Sequence, residues 1–152
     1  MPQAGFLGTT APWTADVTLL LELALGTGLL AGALLARAGR YRLHAACQSV
    51  IVLLNLALII LAMVPSFHRN VSPKLPGKIG KSYYALATTH GALGGLAELA
   101  GLYILLSAGT NLLPEKFRIT RYKFWMRSVL FLWWIVLFLG TATYARWYVP
   151  RR

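Results

Sequence analysis

Residues 45–64 read AACQSVIVLLNLALIILAMV, twenty residues without a charged side chain. A hydrocarbon core of about 30 Å is crossed by about 20 mainly apolar residues in a helix, so this stretch is expected to span a membrane. Arg40-Tyr41-Arg42-Leu43-His44 lies before it and Pro65 ends it. Working outward on the same criterion, three further spans are expected at about 17–36, 83–107 and 128–148. Pro12-Trp13-Thr14 leads into the first, and Tyr83-Tyr84 opens the third. Tyr122-Lys123-Phe124-Trp125-Met126-Arg127 and Arg146-Trp147-Tyr148 bracket the fourth. Aromatic and cationic residues gather in this way at membrane interfaces. The expected fold is an all-α integral membrane protein, a single domain over residues 1–152, built as a four-transmembrane-helix bundle with both termini on the same side.

Composition agrees with the periodicity. Hydrophobic residues make up 57% of the chain and charged residues 12%, with a mean hydropathy of +0.60. Soluble domains carry about 25% charged residues, so a soluble globular domain and a disordered tail are excluded. A single cysteine, Cys47, excludes a disulfide scaffold. The net charge of +11 would point to nucleic acid in a soluble protein. Here the cations lie between apolar runs, where they bind anionic headgroups and set topology. The bilayer is the expected partner, and nucleic acid is not.

Eight basic residues fall on the face of the loops 37–44 and 110–127, and seven on the other, Arg151 and Arg152 included. That near-equality leaves orientation to the cation-free N-terminal arm, which favours an exported N-terminus. The first basic residue is Arg37, so the n-region of a secretory signal is missing and the first helix is expected to be retained. Gly28 and Gly32 form GxxxG in the first helix, and the third holds Gly91, Gly94, Gly95 and Gly101. Small residues let backbones approach closely in lipid, so these two helices are expected to share a tight seam.

Ionisable groups within a span face the protein interior by default. At 1.5 Å rise per residue, Glu22, Asn55, His90 and Thr141 fall about 9–14 Å from the face that carries the termini, one on each helix. They form an expected polar layer. A second expected cluster joins His44, Gln48, Glu98 and Arg127 near the opposite face. Both sets read either as interhelical hydrogen bonds that fix register or as groups that handle protons or a cofactor. A haem held by two histidines needs both at one depth, and His44 and His90 differ by about 18 Å. No metal site is expected, no cofactor is predicted, and haem b on a single histidine stays open as an alternative. Walker, GxGxxG, HExxH and GxSxG motifs are absent, so catalysis is not expected. Asn70-Val71-Ser72 matches a glycosylation acceptor, a pattern common by chance.

Thr88-Thr89-His90, a basic loop, and then Arg127-x5-Trp133-x6-Gly140-x3-Tyr144 resemble the DUF420 family of small bacterial membrane proteins, which includes oxidase maturation proteins of the YozB and CtaM type. The resemblance covers about residues 40–148. It implies an accessory subunit or assembly factor of a respiratory membrane complex of the haem-copper oxidase type, in the bacterial inner (plasma) membrane. Of the family's histidines only His90 is matched. Arg40 and Tyr122 stand where two others are expected, which counts against metal delivery. The alternative is a small haem- or quinone-binding redox protein that uses His90.

Overall fold

A computed structural model describes residues 5–150; Arg151 and Arg152, counted above, lie outside them. Every regular element among the described residues is helical. Helix α1 covers Trp13–Arg37 and α2 covers Tyr41–Leu58. A π-turn at Ile59–Met63 joins α2 to α3, Val64–Asn70. A 3₁₀ turn at Ser72–Lys74 and the short α4, Leu75–Lys78, lead to α5, Ser82–Gly109. A 3₁₀ turn at Glu115–Phe117 precedes α6, Tyr122–Tyr148. Four helical stretches, with the one from Tyr41 to Lys78 taken as a unit, are long and apolar enough to cross a membrane.

The turn between α1 and α2 is set by one glycine. Gly39 has φ +74, a left-handed conformation in which a Cβ would clash with the neighbouring carbonyl. Its N–H donates to Ala36 O at 3.1 Å, and Arg40 N–H to Leu35 O at 2.9 Å. This pairing satisfies the last carbonyls of α1 and reverses the chain within three residues. The two helices then pack along their length, because α1 presents glycine to α2. A Cβ on Gly28 would lie 2.8 Å from Ile51 Cδ1, and one on Gly32 would collide with the Gln48 amide.

The second span runs beyond its expected end. Pro65 reads as a stop because it lacks an N–H and its ring collides with the carbonyl four residues back. The chain adapts by widening one turn: Val64 N–H donates to Ile59 O, five residues back, and helix resumes with Pro65 in its first turn. The stretch between the second and third expected spans, residues 65–82, which the spans leave as a loop, is therefore largely helical. Val71 at its middle is completely buried against Tyr84 and Ala87, with Phe67, Leu75, Tyr83 and Trp147 around it. Tyr83 and Trp147 stack at 4.6 Å and 7°.

Helices pack as a ring, α1 on α2, α2 on α5, α5 on α6 and α6 on α1, with the α1–α2 and α5–α6 contacts the most extensive. The expected seam between the first and third spans is not formed. Gly26 faces Leu137 of α6, Gly94 faces Val136 of α6, and Gly101 faces Val52 of α2. α1 and α5 are diagonal across the ring, and Gly91 and Gly95 of α5 have nothing within 4 Å of a Cβ position. Outward positions are apolar: Leu99 is 67% exposed, Phe131 70% and Phe138 69%, a surface suited to lipid tails rather than water.

Two substitutions test this assignment of the glycines. Gly32→Val drives a branched side chain into Gln48 and is expected to cost about 1–3 kcal/mol through overpacking. Gly91→Ala meets nothing and gains helix propensity, so its stability is expected within about 1 kcal/mol of the parent, on the stabilising side. Thermal unfolding in detergent, followed by circular dichroism, reads both.

Candidate functional site

Glu22 and His90 meet inside the bundle. His90 Nε2 lies 3.8 Å from Glu22 Oε1, with the side chains 17% and 12% exposed. The other ring nitrogen, Nδ1, is 3.0 Å from the Val136 carbonyl of α6. A carbonyl only accepts, so Nδ1 carries the hydrogen. Gly140 makes room for the pair: a Cβ there would lie 2.8 Å from His90 Cε1 and 2.9 Å from Glu22 Oε2. Helices α1, α5 and α6 thus each supply one part of the arrangement.

The other two members of the expected polar layer make no bond with the pair, although Asn55 lines the same cavity. Asn55 turns to α5, where its Nδ2 donates to Glu98 Oε2 at 2.8 Å. Thr141 is exposed and donates to Leu137 O of its own helix at 3.0 Å. Its depth was read from helix rise, but its direction depends on rotation. At about 100° per residue, the inward position at this level falls one residue earlier, on Gly140.

The expected cluster of His44, Gln48, Glu98 and Arg127 also divides. His44 Nδ1 donates to Gly32 O at 2.8 Å and Gln48 Nε2 to Leu29 O at 3.3 Å, while Cys47 Sγ lies 3.6 Å from Gly28 O. These side chains fasten α2 to carbonyls that the glycines of α1 leave accessible. Glu98 is 3% exposed. Asn55 is its partner through Oε2, and Oε1 has no hydrogen-bond partner among the described residues. Arg127 is exposed and forms no ion pair among them.

A third buried acid was not anticipated. Asp16, in the first turn of α1, has no exposed surface. Its Oδ2 accepts from Phe6 N–H at 2.7 Å and Leu7 N–H at 2.9 Å, and its Oδ1 from Tyr144 OH at 2.6 Å. Thr9 Oγ1 lies 2.8 Å from that tyrosine oxygen. Thr10 donates to Tyr148 O through both N–H, at 3.1 Å, and Oγ1, at 2.9 Å. An acid at a helix start also complements the helix dipole, but here it joins α1 to α6.

Between the diagonal helices lies a cavity of about 820 Å³. Leu19 and Gly26 of α1, the π-turn, and Gly91 and Gly95 of α5 form its apolar walls. Glu22, His90 and Asn55 are among its polar points, with threonines such as Thr18, Thr88 and Thr143 and the α3 residues His68 and Arg69, and Trp147 and Tyr148 stand at the end where the N-terminal arm meets α6. Its volume lies in the range of small-molecule sites, which share this pattern of apolar walls and few polar groups. Among the described residues no group of three or more His, Cys, Asp or Glu side chains could hold a metal ion. His68 lies on α3, at the cavity wall. No protein-family model, curated protein or solved structure matches the chain.

The Asn55–Glu98 bond gives a direct check. Asn55→Leu preserves bulk and removes the donor, leaving both Glu98 oxygens unpaired. A loss of about 1–2 kcal/mol is expected, measured by unfolding in mixed micelles. Asn55→Gln is expected to recover part of it.

Proposed function

We propose that this is a multi-pass protein of the bacterial plasma membrane that holds a small amphiphile in its central cavity, and that it does so as a non-enzymatic accessory subunit or assembly factor of a respiratory electron-transfer complex. The observation that carries the reading is the cavity, with a carboxyl and an imidazole set into a mostly apolar wall. Buried polar groups are costly unless partnered, and a ligand headgroup supplies partners. The respiratory setting rests on the resemblance of residues 88–90 and 127–144 to oxidase maturation proteins. Four helices long and apolar enough to cross a membrane, and the Thr10–Tyr148 bonds, support the reading that both ends of the chain lie on one side of the bilayer.

A second reading, haem b held by His90, has one observation in its favour. Ligating histidines commonly donate their other ring N–H to a carbonyl, and His90 Nδ1 faces Val136 O. An absorption spectrum of the purified protein separates the two: a Soret band supports haem, and its absence with an extractable amphiphile supports the first reading.

Native mass spectrometry from mild detergent is expected to show one bound amphiphile per chain. Gly95→Leu, which projects into open space at the cavity wall, is expected to abolish it, and an unaltered bound mass would overturn the assignment to this cavity. Single cysteines at positions 10 and 149 are expected to react with an impermeant label from the same side.

A further inference from the structure

The orientation of His90 restricts what can occupy the cavity. Because Nδ1 donates to Val136 O, the neutral ring presents a lone pair at Nε2. Glu22 Oε1 stands 3.8 Å away, beyond hydrogen-bond range. With Glu22 as its carboxylate, two acceptors border a common gap, and a hydroxyl placed in it donates its hydrogen to one of them. Water and a ligand hydroxyl are both such donors, and the walls favour the ligand. Gly91 and Gly95 lie four residues apart on one stripe of α5, line the cavity, and leave their Cβ positions without a neighbour within 4 Å. That stripe gives a flat surface on which a ring can lie.

Resting on the cavity reading above, we propose that the occupant is an alkyl- or isoprenyl-substituted hydroquinone. It enters ring first, and one phenolic hydroxyl donates into the gap between His90 Nε2 and Glu22. A phospholipid or fatty acid fits this wall less well. Its headgroup would stay at the mouth beside Arg69, and its chain would cover the carboxyl and imidazole while offering neither a hydrogen bond. A hydroquinone matches both the polar pair and the flat wall, and its tail follows the apolar passage beside the π-turn. Only binding is proposed, with no electron transfer.

The test uses the full chain in detergent and reads quenching of tryptophan emission by decylhydroquinone, kept reduced under argon, and by its dimethyl ether. The two share ring and tail but differ in the donor hydrogens. The hydroquinone is expected to bind at least tenfold more tightly than the ether. Glu22→Gln, which puts an amide donor beside the gap, is expected to reduce the preference to less than threefold. The comparison of the two ligands on the unaltered chain stands even where the variant does not fold. Equal affinity for ligand and ether would overturn the hydroxyl assignment while leaving the cavity reading intact. Binding of oleate or phosphatidylglycerol with no binding of either probe would also overturn it and keep that reading. No binding of any of the four would remove both.

Discussion

The structure depends on how closely α1 approaches α2. An apolar solvent offers side-chain donors no competing partner, so those that reach a backbone carbonyl hold on to it. Reaching one takes a helix surface without side chains in the way. Gly28 and Gly32 provide it, and His44 and Gln48 use it. The resulting hairpin is one rigid half of the molecule. The other is α5 with α6, where Trp133 Nε1 donates to Ala97 O at 3.2 Å in a comparable way. Two tight pairs laid side by side leave the diagonal between α1 and α5 unfilled, and the cavity is a consequence of that pairing.

The π-turn contributes to the same space. Proline in the second span could have ended the helix, which would have left the wall beside α1 to an irregular segment. One widened turn keeps the backbone hydrogen-bonded and carries the chain past Pro65 to the buried Val71. Residues of that turn line the cavity. A local accommodation of backbone geometry is thus part of the candidate site, although none of its side chains is polar.

How much of this was legible in the sequence differs from feature to feature. The four apolar runs were plain, because length and hydropathy alone specify them. Depth was also readable, since rise per residue is fixed, and Glu22 and His90 do meet across α1 and α5. Rotation was not: Thr141 and Gly140 share a depth and differ only in the direction they face, which packing against neighbours decides. The glycines were read as a seam between the first and third spans, but small residues show that some surface approaches closely without saying which. Asp16 was hidden for another reason. Its partners are the N–H groups of Phe6 and Leu7 and a tyrosine from the far end of the chain, and neither spacing nor composition connects them.

The Asp16 network also sets an order of events. Its carboxyl takes donors from residues 6 and 7, its near neighbours, and from Tyr144, which is made 128 residues after it. During synthesis α1 can enter the membrane and pair with α2 using local contacts alone. The arm cannot take its final place until α6 has crossed, because Tyr144 and Tyr148 supply the groups that hold it. Until then a carboxylate waits at the boundary of the bilayer, beside the opening of the cavity. The fastening of residues 6–10 to α6 is thus a contact across the whole bundle, made only once α6 is in position.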